Sequence, residues 1–293
     1  MKHNKVGLVL EGGGMRGVYT SGVLDALMDE NIKFPYVIGV SAGANNGASF
    51  VAEQRERNKK VFVDYVRHKD YSGFKHWIVG NGYFNMDFLF NTLPNKLVPF
   101  DYETFLNSKT IFKACVTDCI TGKSVCFEKS QAKNNGNEFI NKVLRASSSL
   151  PILAKPVKIK GRLYFDGGIS DSIPIDKSIE DGNKYNVIIL TRNEGYRKEK
   201  QALGICTRHY LKRYPKVLHA IETRHIKYNN TLDKIEDLED KGFTYVFRPI
   251  KEIKVERLEK NIDRLNQLYE QGYKEATSQK ENFKKWLGNI IND

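Results

Sequence analysis

A chain of 293 residues, 40% hydrophobic and 28% charged, has room for one large α/β domain or two small ones and can bury a sizeable core. No apolar run approaches the roughly 20 residues that cross a bilayer. Met1 to Lys5 carries no secretory h-region, so the expectation is a cytoplasmic protein, at most peripheral to a membrane. The net charge of +12 points to an anionic partner, a phospholipid surface or nucleic acid.

Residues 5 to 10 are short and apolar and predict a buried strand. Gly17 to Glu30 predicts a helix, residues 34 to 40 ("FPYVIGV") a second strand, and residues 42 to 57 a second helix. Strand, tight loop and helix, twice over, is the pattern of a parallel α/β sheet. Residues 59 to 109 are rich in aromatics, among them Tyr71, Phe74, Trp77, Tyr83, Phe84, Phe88, Phe90 and Phe100. Most of these rings are expected in the core, and a few between Trp77 and Phe90 are expected to line a groove. Strands at 110 to 117 and 124 to 128 flank a turn containing Gly122, and 137 to 149 reads as a helix stopping before Pro151. Two short strands surround Lys160-Gly161, Pro174 opens a helix that Gly182 ends, and 185 to 191 is another buried strand.

The character then changes. Between residues 196 and 230 stand Arg197, Lys198, Lys200, Arg208, Lys212, Arg213, Lys216, Arg224 and Lys227, against only Glu199 and Glu222. Pro215 separates two helices in this basic segment (195–240). The interleaved Tyr196, Tyr210, Tyr214 and Tyr228 suit a face of 197–227 resting on anionic headgroups, or a solvated basic face. A last strand covers 243–250, and a long amphipathic helix over 255–287 carries Leu258, Ile262, Leu265, Leu268 and Tyr269 on one side, bent near Gly272. The four cysteines, Cys115, Cys119, Cys126 and Cys206, fit no zinc spacing. They are expected as buried, reduced thiols in strands, and no metal or cofactor is expected.

The first loop, "EGGGMRG" (11–17), permits three readings. Gly12, Gly14 and Gly17 satisfy G-x-G-x-x-G, but a dinucleotide site also needs an acid at the end of the second strand, where Gly39-Val40-Ser41 stands. A phosphate-binding P-loop needs Lys and Ser or Thr after Gly17, where Val18 and Tyr19 follow. The third reading joins the loop to "GVSAG" (39–43), a G-x-S-x-G between strand and helix. Gly39 and Gly43 allow the sharp turn that lifts the Ser41 hydroxyl above the sheet. Both loops lie at the same carboxyl edge, so the glycine loop can present amide N–H groups to an oxyanion beside Ser41. The late histidines, His209, His219 and His225, sit in no motif. Asp166 is conspicuous, because it ends an apolar strand and is followed by Gly167 and Gly168.

With "RASSSLP" (145–151), "DGG" (166–168) and "VTDCITGK" (116–123), these motifs resemble, in order, those of the patatin-like phospholipase family. The resemblance covers residues 5 to about 190. It implies a three-layer α/β/α sandwich with a mainly parallel central sheet and a motif-bearing core at 5–193 within one domain, 1–293. It implies a serine acyl-ester hydrolase acting on phospholipids or related lipids, with a Ser–Asp dyad. Ser41 is then the nucleophile and Asp166 the base. The N–H groups of Gly12, Gly13 and Gly14 form the oxyanion hole, and Arg16 braces the loop or meets an anionic group. Asn45 and Asn46 depart from the small apolar residues usual after the elbow. The competing reading is a non-enzymatic basic α/β module that binds nucleic acid or an anionic membrane; it accounts for the charge and leaves the three motifs unexplained.

Overall fold

The computed structural model describes residues 6–73, 75–76, 82–134 and 136–291. Phe74 and Trp77, expected among the core and groove aromatics, lie outside them. The eight strands among the described residues form one sheet: β1 Val6–Leu10, β2 Tyr36–Val40, β3 Ile111–Asp118, β4 Ser124–Glu128, β5 Val157–Ile159, β6 Arg162–Asp166, β7 Tyr185–Ile189 and β8 Thr244–Phe247. Strands β3, β2, β1, β7 and β8 run parallel, and β4, β5 and β6 run antiparallel to their neighbours.

Strands β1, β2 and β7 are buried on both faces along nearly their whole length, as their Val-, Ile- and Leu-rich sequences require. Leu8, Leu10, Val37, Val187 and Ile189 point into one core, together with Val18, Leu24 and Leu27 of α1 (Gly17–Asp29) and Ala44 and Ala48 of α2 (Ala42–Val51). Val9, Ile38, Val40 and Ile188 point into the other, where they meet later helices. The sheet is thus the middle layer of an α/β/α sandwich, as expected. Later helices include α3 Asn137–Ser147, α4 Ile175–Glu180, α5 Ile205–Leu211, α6 Pro215–Asp240, α7 Ile262–Ser278 and α8 Lys280–Ile291. Tyr228, Leu232 and Ile235 of α6 cover the second face.

One detail of the sheet positions the site. The β4 strand occupies one edge of β3 from Lys113 to Thr117, so β2 and β6 share the other edge. There β2 pairs as far as Val40 with Cys115, and β6 begins at Asp166 with Val116. The chain leaving β2 at Ser41 therefore meets the end of β6 head-on, one register step away.

The C-terminal reading needs correction. Residues 255–261 are irregular, and the helix begins only at Ile262, where the Asn261 side chain caps the N–H groups of Asp263 and Arg264. The break falls at Gln279, between α7 and α8, and not at Gly272. Gly272 and Gly22 are instead the points where α7 and α1 cross: a Cβ at Gly272 would strike the Tyr19 carbonyl, and one at Gly22 the Tyr269 carbonyl. Two hydrogen bonds lock the crossing, Tyr19 Oη to Glu275 at 2.9 Å and Tyr269 Oη to Asp25 at 2.7 Å. Gly272→Ala is expected to destabilise the fold by about 1–3 kcal/mol, read as a lowered denaturation midpoint, because the backbone must shift to admit one methyl.

The cysteine expectation also fails in part. Cys115 and Cys126 stand directly opposite on β3 and β4 and are joined in a disulfide. Cys119 is a buried free thiol, and Cys206 is exposed on α5 rather than buried in a strand. Antiparallel register, invisible in the Cys spacing, brings the first pair together.

Candidate active site

Ser41 sits between β2 and α2 with φ 53° and ψ −121°, a left-handed conformation that side chains rarely adopt. The turn is held by its surroundings. The Ser41 N–H donates to Ser147 Oγ at 2.8 Å, and Ser147 Oγ donates in turn to the Cys115 carbonyl at 2.7 Å. The Ser41 carbonyl accepts from Asn45 Nδ2 at 2.9 Å, while that amide also reaches Ser148 Oγ at 3.0 Å. "RASSS" thus orients the elbow from α3, a role its sequence did not disclose. A Cβ at Gly43 would lie 2.5 Å from the Leu10 carbonyl, and one at Gly39 would meet the Gly43 backbone at 2.7 Å, so both flanking glycines allow close packing of the turn. Asn46, the other departure, is fully buried and ties α2 to α1: it donates to the Gly17 carbonyl at 2.9 Å and accepts from Ser21 Oγ at 2.7 Å.

Asp166 is 3% exposed and its carboxylate faces the Ser41 side chain. Its Oδ1 accepts the Gly168 N–H at 2.7 Å, which fixes the carboxylate over its own turn. Its backbone is pinned by the Asp166 N–H to Ser149 carbonyl bond at 2.8 Å and by Thr117 Oγ1 on its carbonyl at 2.8 Å. Gly167 lies where a Cβ would strike the Cys115 carbonyl, so the Asp-Gly-Gly turn nests against β3. Burial raises the Asp166 pKa above the ordinary carboxylate value, against the opposing pull of Ser41, the Gly168 amide, Arg224 and Arg257. No histidine hydrogen-bonds to Ser41 or Asp166 among the described residues.

The glycine loop lies beside the elbow. A Cβ on Gly12 would come within 3.0 Å of Val40 and 3.4 Å of the Ser41 Cβ. The Gly12 N–H, expected to face an oxyanion, is already engaged by the Ser172 carbonyl at 3.1 Å, and the Met15 N–H by Arg257 at 3.1 Å. The Gly13 and Gly14 N–H groups make no loop hydrogen bond among the described residues, and Gly14 adopts φ 59°. Glu11, which precedes them, is buried and accepts from Tyr228 Oη at 2.7 Å and from the Thr191 N–H and hydroxyl. Arg16 is buried, and its Nε has no partner among the described residues.

A pocket of about 130 Å³ opens at Ser41. Its wall is mostly apolar, with Met15, Val61, Phe62, Tyr71, Phe84 and Met86, then Leu89, Phe90, Pro94, Phe100, Leu144 and Leu150. Phe84 and Phe90 are the expected groove residues, and Leu258, taken for a helix-face residue, lines the pocket from the irregular segment before α7. Among the described residues no group of three or more His, Cys, Asp or Glu side chains could hold a metal ion.

These features can be compared with known proteins. Residues 8–179 match the patatin-like phospholipases. The chain belongs to the patatin-like phospholipase family. Residues 214–288 match a second family, a domain of unknown function (DUF6363). The chain is 30% identical to the Escherichia coli K12 protein YjjU over 196 residues, covering 64% of this chain and 52% of YjjU. It is 27% identical to the probable lipid hydrolase 463L of Invertebrate iridescent virus 6, over 61% of this chain and 65% of that protein. It is 29% identical to the lysophospholipase nte1 of Aspergillus terreus, over 58% of this chain and 11% of the fungal protein. The chain therefore spans less than two-thirds of each of these relatives.

The basic stretch 197–227 does not form one face of this patatin-like protein. Arg197 pairs with Asp233 and Glu236, Arg208 with Glu222, and Lys227 with Asp171. Lys198 and Arg224 turn inward, and Tyr228 is buried. Lys200, Lys212, Arg213 and Lys216 remain exposed. No helix among the described residues is long and apolar enough to cross a membrane.

Proposed function

We propose that the protein is a serine acyl-ester hydrolase that cleaves acyl esters of phospholipids or related lipids through a Ser41–Asp166 dyad, as a lipid acyl hydrolase of the phospholipase A type. The observation that carries this reading is the strained Ser41 facing a buried carboxylate at the mouth of an apolar pocket. The relatives named as lipid hydrolase and lysophospholipase support the substrate class.

In this reading the acyl chain lies in the pocket and the ester carbonyl sits over Ser41. The Ser41 Oγ attacks that carbon as Asp166 takes the hydroxyl proton, and the Gly13 and Gly14 N–H groups receive the oxygen that becomes negative. Asp166 returns the proton to the departing alcohol, leaving an acyl-enzyme. It then takes a proton from a water that attacks the acyl carbon, and Ser41 leaves with that proton as the fatty acid is released. An aspartate is a weak base in water, near pKa 3.9. Burial supplies the correction, since it raises the carboxylate's proton affinity above that of an aspartate in water. The exposed Lys200, Lys212, Arg213 and Lys216 support peripheral contact with an anionic membrane, at about 1 kcal/mol each.

The test is fatty-acid release from a series of ester substrates that differ only in acyl length. Each methylene entering the apolar pocket is worth about 0.8 kcal/mol, so kcat/KM is expected to rise by up to about fourfold per methylene until the pocket is filled. A folded protein that turns over none of the series contradicts the reading; a flat chain-length profile removes the pocket from it.

A further inference from the structure

Five cations crowd the glycine loop and Asp166, and the dyad chemistry uses none of them as a reactant. They are Arg16 after the loop, Arg192 beyond β7, Lys198 in the connection to α5, Arg224 on α6, and Arg257 before α7. Arg257 packs on Gly14, where a Cβ would lie 2.7 Å from its Cγ, and it lines the Ser41 pocket. Arg224 Nη2 donates to Ser172 Oγ at 2.9 Å and lies 3.3 Å from where a Gly168 Cβ would stand. Lys198 Nζ sits 4.2 Å over the Tyr228 ring, and the Arg192 guanidinium 4.4 Å over Tyr196, which packs on Tyr228.

Their charge is not balanced. Among the described residues no carboxylate lies within 4.0 Å of any of the five. Arg55, Arg197, Arg208 and Arg264, all more exposed, each hold an acidic partner. The Nε atoms of Arg16, Arg192 and Arg224 are shut off from water without an acceptor. Glu11 is nearby but already holds Tyr228 and Thr191. Burial and like charge bring Arg16 down to about 10 and Lys198 down to about 7. Cations withdrawn from water without an ion-pair partner are costly, and their unfilled N–H groups suit a tetrahedral oxyanion.

We propose that Arg192, Lys198, Arg224 and Arg257, with Arg16, form a phosphate-binding subsite beside the dyad. All four named first lie beyond the patatin-like match, and Arg224 and Arg257 lie in the second matched region. The subsite gives that region a role: it supplies the charges that hold a phosphate while an ester lies at Ser41. The phosphate belongs either to a lipid headgroup or to a free phosphate. The headgroup source rests on the ester-hydrolase reading, whereas phosphate binding itself does not.

The experiment has two arms. In the first, inorganic phosphate is titrated calorimetrically into the wild-type protein, Arg224→Gln and Arg257→Gln, with chloride at equal ionic strength as control. Saturable binding is expected, weakened about tenfold or more by each substitution. Phosphate is also expected to raise the melting temperature of the wild type more than that of either variant, which checks that the variants are folded. Absent binding, or equal affinity in all three folded proteins, overturns the subsite. In the second arm, hydrolysis of a 1-acylglycerol 3-phosphate is compared with that of the 1-acylglycerol. A headgroup source predicts that the substitutions cut kcat/KM about tenfold more for the phosphorylated substrate. Equal cuts, with phosphate binding lost, assign the subsite to free phosphate. Saturable phosphate binding with neither lipid hydrolysed supports the subsite and contradicts the ester-hydrolase reading instead.

Discussion

Ser41→Ala is expected to lower ester hydrolysis by on the order of 10⁴-fold or more, with the fold unchanged. The loss follows from removing the atom that forms the covalent bond; the free Gly13 and Gly14 amides and the apolar pocket remain but have no oxyanion to stabilise. The fold survives because what holds the elbow is backbone. The Ser41 N–H to Ser147 and the Ser41 carbonyl to Asn45 persist in alanine, which carries the same Cβ into the same φ. Stability is therefore expected within about 1 kcal/mol of the parent, measured by denaturant midpoint beside the activity assay. Near-parental turnover in the variant would place the nucleophile elsewhere.

Asp166→Asn separates function from stability in opposite directions. Loss of the base is expected to cost about 10²–10⁴-fold in kcat/KM. Stability moves the other way. Burial raises the folded pKa of Asp166 above its unfolded value of about 3.9, so the protonated form is the one the fold favours. That favourable contribution is complete below pH 3.9 and is lost as pH rises through the folded pKa, above which the buried charge is a penalty. Asparagine keeps an oxygen for the Gly168 N–H and carries no charge. The variant is thus expected to be at least as stable as the parent at pH 7, with the difference closing below about pH 4. The acid limb of the parental kcat/KM profile is expected above pH 3.9, since the base must be ionised to act. A less stable variant at pH 7, or a limb below 3.9, contradicts the assignment.

The parts of the site set by local chemistry were legible in the sequence. Glycines around Ser41 and after Asp166 mark turns whatever the rest of the chain does. What was not legible depended on long-range register. Nothing local says that β3 would carry β2 and β6 end to end on one edge, which is what makes Ser41 and Asp166 neighbours. The same register joins Cys115 to Cys126 against the expectation of free thiols. The bond from the Gly12 N–H was hidden for a like reason, because its acceptor, the Ser172 carbonyl, lies far along the chain. Leu258 is expected on a helix face, yet Asn261 caps the helix only after it and leaves Leu258 and its neighbour Arg257 free to reach the pocket. The basic segment misled because a charge count carries no sign of burial: Lys198 and Arg224 look in sequence like Lys200 and Arg213, and turn the other way.

The central claim is that Ser41, activated by Asp166, is the nucleophile. A fluorophosphonate ester reacts at such a serine and mimics the tetrahedral intermediate, so its adduct can be mapped by mass spectrometry of the digested protein. The account predicts one adduct, on the peptide carrying Ser41, absent in Ser41→Ala and formed far more slowly in Asp166→Asn. A folded protein that hydrolyses esters while the adduct forms on another residue, or forms equally fast without Asp166, would contradict it.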